Sequence, residues 1–252
     1  MKKRIRNPKK NKTKYRNLMI LSIFMGVLLI GGSVTAFSNM GRNNDNNNAG
    51  EEAQVQQLIS QLTNSTIPGA AALGVNEAPI TIVEFGDYQC PYCAKFNNET
   101  KSDLLNKYVE TGKAKFVFKD LVLNDLPKDK LSTLAAEASY CAAEQNKYWD
   151  FHDEVYENSK GENSGWVSKE ALVQFAKNVK VSDIEQFSSC LDSHKYNQVV
   201  QENDLFAKEL GLVSTPTFLI LQQNSSKIAA IEGAQPLYIF DNTINQVLNQ
   251  TV

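Results

Sequence analysis

Two of the four cysteines in this chain stand close enough together to do chemistry as a pair. The segment Cys90-Pro91-Tyr92-Cys93 lies where a strand and a turn are expected to pass into a helix. A thiol at a helix N-terminus is stabilised as a thiolate by the helix dipole and by free backbone N–H groups, and proline suits the first helical position. We therefore expect an exposed Cys90 as the attacking thiol and Cys93, one turn further on, as the resolving thiol of a disulfide-exchange pair.

Other uses of this pair are possible in principle. A zinc site would need a second cysteine pair or nearby histidines, but the remaining cysteines are single and the chain has only His152 and His194. We expect His152 to pack or cap within a helix and His194 to lie at the surface. A structural disulfide across two residues would be strained, and buried free thiols are unusual in an exported chain. The sequence thus predicts a redox-active disulfide, with no metal and no separate cofactor.

The other two cysteines, Cys141 and Cys190, each lie within a helical pattern, among small or apolar residues. In an oxidising compartment such an even pair is most simply a structural disulfide. Closing a loop of this size stabilises the fold by roughly 3–5 kcal/mol on the chain-entropy model. The alternative is a relay that passes electrons to Cys90 and Cys93.

The elements that position these cysteines follow the order β-α-β, a helical block, then β-β-α. Hydrophobic patterns and turn signals predict strands over residues 80–85, 115–119, 217–221 and 227–232. They predict helices over about 51–64, 90–108, 130–145, 148–158, 169–178, 183–193, 196–210 and 236–249. This is the order of an α/β thioredoxin-like fold with an all-helical insertion at about residues 127–210. An unrelated α/β domain with the same order of elements is the alternative.

Charge is distributed unevenly along the chain. The overall net charge is −2, but residues 1–16 hold nine basic side chains and no acidic one, which leaves −11 for residues 17–252. Affinity for nucleic acid depends on clustered Lys and Arg. The acidic body therefore argues against nucleic acid as a partner.

An uncharged apolar stretch, residues 18–37, follows the basic segment. About 20 such residues can span a membrane, with the basic flank on the cytoplasmic side. The small residues Val34-Thr35-Ala36 also fit a signal-peptide cleavage site. We expect an exported protein, held at the extracytoplasmic face of the cell membrane by this segment or secreted if it is cleaved.

The predicted domain organisation has three parts. Residues 1–37 form the basic region and the anchor or signal. Residues 38–66 form an Asn-rich polar tether and a short helix. Residues 67–250 form the thioredoxin-like domain with its helical insertion.

Two motifs in this last domain resemble the DsbA family of thiol–disulfide oxidoreductases, in the form found in Gram-positive bacteria. They are IVEFGDYQCPYC over residues 82–93 and VSTPTF over residues 213–218. The resemblance covers about residues 74–250. It implies a thioredoxin fold with an inserted helical domain and a role in oxidising newly exported, still reduced proteins, with reoxidation by a membrane partner of the DsbB type.

The resemblance also implies roles for individual residues. Cys90 would be the attacking thiol and Cys93 the resolving one, and Pro216 would be a cis-proline facing them. A cis bond there would leave the backbone of Thr215 free to pair with a client peptide; an ordinary turn is the alternative. Glu84 matches the family's buried acid, which could exchange a proton with Cys93, although a solvated carboxylate at the strand end is the alternative.

One residue departs from the family's best-known oxidases, which carry His where this chain has Tyr92. A neutral ring removes a possible cationic stabiliser of the Cys90 thiolate, so the disulfide could be less oxidising. Besides an oxidase, the sequence therefore leaves open a reductase or isomerase of the same fold. A surface binding module without enzyme activity and a maturation factor dedicated to one client are further alternatives.

Overall fold

The computed structural model describes residues 56–63, 72–223, 225 and 227–249. The basic segment, the apolar stretch 18–37 and most of the polar tether lie outside the described residues, so their roles stay predictions. No helix within the described residues is long and apolar enough to span a bilayer. Residues 56–63 are helical, inside the helix predicted for 51–64.

Four strands form one mixed sheet in the order β2-β1-β3-β4. The strands are β1 (Ile80–Gly86), β2 (Ala114–Asp120), β3 (Thr217–Gln222) and β4 (Ile228–Glu232). β1 runs parallel to β2 and antiparallel to β3, and β3 pairs antiparallel with β4. Each strand begins and ends within one residue of its predicted bounds, because the β-branched and aromatic runs stop at turn residues.

The helix after β1 carries Cys90 and Cys93 at its start. It begins as α1 (Pro91–Phe96), passes through a π-helical turn (Asn97–Lys101) and α2 (Ser102–Leu104), and ends in a second π-helical turn (Leu105–Val109). The π-helical turns were not predicted, since hydrophobic spacing does not separate them from α-helix.

Five helices lie between β2 and β3, and one more closes the described chain. They are α3 (Leu131–Ala143), α4 (Tyr148–Glu157), α5 (Lys169–Asn178), α6 (Ile184–Asp192), α7 (Asn197–Glu209) and α8 (Leu237–Asn249). Side-chain caps explain two of the starts. Ser168 accepts a hydrogen bond from the Ala171 amide at α5, and Asp183 accepts one from the Gln186 amide at α6.

The central strand β1 divides the core because its side chains alternate between two faces. Ile80 and Ile82 pack in the cluster formed with α1 and α8, whereas Val83 and Phe85 pack in the cluster with α7 and the 56–63 helix. By this alternation Glu84 shares the face of Ile82, toward α1. The strand therefore places a carboxylic acid behind the helix that carries the cysteines.

Candidate active site

Cys90 is the N-cap residue of α1, with an extended backbone (φ −72°, ψ 121°) and Pro91 in the first turn. The Cys90 amide donates to the Asp87 carbonyl oxygen over 2.9 Å, and its own carbonyl accepts the Ala94 amide over 3.1 Å. Cys93 lies one turn further along the same helix, and both thiols are free in this structure. The turn thus sets Cys90 at the positive end of the helix.

The expectation that Cys90 is exposed is wrong, since the residue is only 5% exposed. Its Sγ lies 3.3 Å from the carbonyl oxygen of Thr215, so the segment before β3 lies against the thiol. The neighbouring Tyr92 is 62% exposed instead.

The Thr215–Pro216 peptide bond is cis. The segment is anchored by Thr217, whose hydroxyl donates to the Ser214 carbonyl over 2.7 Å. The VSTPTF motif therefore faces the cysteine pair, although more than 120 residues of chain separate the two.

The two cysteines have opposite acidities. The pKa of Cys90 falls from 9.0 to about 6, mainly because the Cys93 thiol donates a hydrogen bond to the Cys90 sulfur. Hydrogen bonds from the Thr215 side chain and from the amides of Cys93 and Tyr92 lower the pKa further, whereas burial raises it. Burial raises the pKa of Cys93 well above 9.0, and the hydrogen bond to Cys90 adds to the rise. At neutral pH the pair therefore holds one thiolate, on Cys90, and one thiol, on Cys93.

Glu84 is fully buried, so the alternative of a solvated carboxylate at the strand end does not apply. Burial raises its pKa from 4.5 to about 8. The positive charge of Lys101 lowers the pKa of this carboxyl, and the charges of Asp153 and Cys90 raise it. Since the charge of Glu84 in turn raises the pKa of Cys93, the acid and the resolving thiol share one environment.

Three further side chains were not recognised as part of a site from the sequence: Lys101, His152 and Asp153. Lys101 is buried on the π-helical turn, where its Nζ forms an ion pair with Asp153 and lies 3.2 Å from Nδ1 of His152. His152 packs inside α4, as predicted, and His194 is largely exposed, as predicted. The available signal was Lys101 itself, a charged residue within the buried stripe of a helix.

The carboxylate of Asp87 organises the turn that leads into Cys90. Its Oδ1 accepts from the Gln89 amide (2.8 Å) and the Ser132 hydroxyl (2.6 Å), and its Oδ2 accepts from the amides of Leu123 and Asn124 (both 2.8 Å). These bonds join the cysteine turn to the loop after β2 and to the first turn of α3. The sequence motif contains Asp87, but nothing in the sequence indicates which amides it binds.

Gly86, the last residue of β1, allows rings to approach the backbone beneath the site. A Cβ atom added there would lie 2.5 Å from the Phe118 ring and 3.1 Å from the Tyr156 hydroxyl. Any larger residue would displace these rings, which line the space beside the thiol pair.

Cys141 and Cys190 form a disulfide that joins α3 to α6 inside the helical insertion. Within the described part of the chain no group of three or more His, Cys, Asp or Glu side chains could hold a metal ion.

The sequence and the fold match known proteins. Residues 66–236 match the family model described as "Thioredoxin". The chain belongs to the thioredoxin family. "Disulfide bond formation protein D" of Bacillus subtilis (strain 168) is 28% identical over 155 residues, 62% of this chain and 69% of that protein.

Solved structures share this fold. The structure of oxidised BdbD from Bacillus subtilis is 26% identical to this chain, with a TM-score of 0.63. The match covers 73% of this chain and 99% of the BdbD chain. DsbA of Chlamydia trachomatis, at 20% identity, shares the fold with a TM-score of 0.61 over 75% of this chain and 96% of its own. The chain is a protein disulfide oxidoreductase of the DsbA family.

Proposed function

We propose that this DsbA-family protein donates the Cys90–Cys93 disulfide to reduced proteins after their export. The observation that carries this direction is the lowered pKa of Cys90, about 6 against an ordinary 9.0. A stabilised thiolate favours the reduced form of the pair, and a pair whose reduced form is stabilised is a stronger oxidant. The hydrogen bonds to Cys90 thus stabilise its thiolate, in place of a positive charge that Tyr92 does not provide.

Oxidation of a client takes two exchange steps. A client thiolate attacks Sγ of Cys90; the Cys90–Cys93 bond breaks, a Cys90–client disulfide forms, and Cys93 takes up a proton from Glu84. A second client thiolate then attacks the client sulfur of the mixed disulfide and releases Cys90 as a thiolate. The Thr215 carbonyl oxygen, 3.3 Å from Cys90 Sγ, is placed to accept a client amide when Cys90 is in a disulfide.

The N-terminal sequence supports an extracytoplasmic place of action. The nine basic residues of 1–16 and the apolar residues 18–37 support a signal-anchor that leaves the thioredoxin-like domain on the extracytoplasmic face of the membrane, or a cleaved signal and a secreted domain. A DsbB-like membrane protein would reoxidise Cys90 and Cys93 there by accepting their two electrons.

The direction is tested by the reduction potential of Cys90–Cys93 in the full chain, purified in detergent and equilibrated with glutathione buffers. Thioredoxin stands near about −270 mV and the oxidase DsbA near about −120 mV. We expect a value of about −150 mV or higher. A value near about −250 mV would overturn the proposal and make the protein a surface-tethered reductase.

A further inference from the structure

A charged cluster lies where the continuation of α1 meets α4. Lys101 is 3% exposed, and its Nζ lies 3.1 Å from Oδ1 of Asn97 and 5.1 Å from the centre of the Trp149 ring. The same Nζ lies 3.2 Å from Nδ1 of His152 and forms an ion pair with Asp153. Nδ1 of His152 is also 2.8 Å from Oδ1 of Asp153. We call Lys101, His152 and Asp153 the charged cluster.

The charged cluster adjoins Glu84. Phe118 is the partner of Glu84 across β1 and β2, and the His152 ring meets the Phe118 ring edge-on with centres 4.8 Å apart. Lys101 and Asp153 act on Glu84 with opposite signs. The Asp153 side chain is 42% exposed, so the cluster reaches from the buried acid to solvent.

Burial of a lysine in this position needs an explanation beyond packing. Removing an ammonium group from water costs several kcal/mol, and an apolar side chain in such a stripe often stabilises a fold equally well. Within the described residues, Oε2 of Glu84 and Nε2 of His152 also lack a hydrogen-bond partner. Buried ionisable groups arranged in this way are typical of functional sites.

We propose that the Lys101–Asp153 pair, whose acidic member lies on α4 of the helical insertion, controls the exchange of a proton between Glu84 and Cys93. The proposal rests on the proposed function, because it assigns the control of one step in that reaction. Lys101 and Asp153 act through Glu84 and are positioning residues. The insertion then serves the redox step electrostatically, besides covering the thioredoxin core.

The step is a proton transfer coupled to disulfide cleavage. As the client thiolate attacks Cys90, the electron pair of the Cys90–Cys93 bond goes to Sγ of Cys93, which takes the proton of the Glu84 carboxyl. The positive charge of Lys101 stabilises the resulting Glu84 carboxylate. Asp153 offsets part of that stabilisation, so that Glu84 can regain its proton for the next cycle.

The groups that face Glu84 come from two elements. Cys90, Cys93 and Lys101 lie on α1 and its continuation, and Asp153 and Tyr156 lie on α4. Of the charged groups that act on Glu84 in the described structure, Lys101 carries the positive charge. Removing Lys101 therefore makes the Glu84 carboxyl harder to ionise. Removing the negative charge of Asp153 makes the acid easier to ionise.

The test is the pH profile for reduction of the Cys90–Cys93 disulfide in the full chain by dithiothreitol, with each rate divided by the thiolate concentration. Because protonated Glu84 assists the step, this rate falls as Glu84 ionises. We expect K101M to move the falling limb to higher pH and D153N to move it to lower pH, each by about one unit. K107M removes an exposed lysine of the same helix that pairs with Asp241, and should leave the limb in place.

Opposite shifts distinguish charge control from damage to the fold, which would move both variants alike. The falling limb should be absent in E84Q, and K101M and D153N should no longer change the profile in that background. Shifts in the same direction, no shift, or equal shifts without Glu84 would overturn the inference. The reduction potential of the unaltered chain tests the direction of the reaction separately, so either idea can fail while the other holds.

Discussion

The Sγ atom of Cys90 lies 3.3 Å from the carbonyl oxygen of Thr215, and 125 residues separate the two in sequence. Helices α3–α7 all fall within that interval. The chain leaves the active site after β2, builds the helical insertion, and returns with the segment that lies against the thiol. The site therefore joins two parts of the chain that lie on either side of the helical insertion.

The first prediction concerns the acidity of Cys90. Its thiolate should form with a midpoint near pH 6, because the Cys93 thiol and neighbouring donors hydrogen-bond to it. Absorbance of the thiolate near 240 nm, followed by pH titration of the reduced protein, measures this midpoint. C93A should raise it, since the largest stabilising contribution is lost, whereas C90A should remove the transition. A midpoint near the ordinary value of 9.0 in the unaltered protein would contradict the prediction.

The sequence predicted this site well where the chemistry is local. The spacing of Cys90 and Cys93 and the strand ahead of them place both thiols at a helix start, and the bounds of β1–β4 follow from short β-branched and aromatic runs. The burial of Cys90 could not be predicted, because it depends on the distant Thr215 segment. Side-chain partners across elements, such as Lys101 with Asp153, depend on how α4 packs, which periodicity does not specify.

The second prediction concerns the Cys141–Cys190 disulfide, which joins residues 49 apart in sequence. Replacing both cysteines by alanine should lower the free energy of unfolding by about 4 kcal/mol, because the unfolded chain is no longer constrained by that loop. Urea denaturation measures the change. The reduction potential of Cys90–Cys93 should stay the same in this variant; a large change would instead support an electron relay between the two pairs.

The third prediction is a pH dependence of stability at Asp120, which is buried where β2 ends. Burial raises its pKa from 3.8 to about 6, although hydrogen bonds from the Tyr140 hydroxyl and the Asn203 amide oppose this. The folded protein therefore binds this proton more tightly than the unfolded chain. Its stabilising contribution is fully present below about pH 4 and is lost as the pH rises through about 6.

D120N removes this dependence, because asparagine does not titrate. Between pH 4 and pH 7 the stability of the unaltered protein relative to D120N should fall by about 2 kcal/mol, as measured by urea denaturation at each pH. D103N, at an exposed position on the long helix, is the matched control and should follow the unaltered protein. A difference between D120N and the unaltered protein that does not vary with pH would show that Asp120 does not titrate in this range.

The last prediction concerns Asp87, whose two carboxylate oxygens accept four hydrogen bonds. An asparagine side chain has only one oxygen and could not accept all four. In D87N, the NH₂ group should turn toward Ser132, whose hydroxyl can accept as well as donate, and the Gln89 amide then loses its acceptor. The bonds to Leu123 and Asn124 lose the strengthening effect of the charge. We expect a loss of about 2–3 kcal/mol in stability and faster hydrogen exchange at the Leu123 and Asn124 amides.

S132A separates these effects because it removes one donor and leaves the carboxylate in place. It should cost about 1 kcal/mol and leave the Leu123 and Asn124 amides as protected as before. Unchanged exchange of both amides in D87N would mean that the loop after β2 is held by other contacts. Faster exchange in D87N alone would establish that one buried carboxylate ties this loop to the turn that presents Cys90.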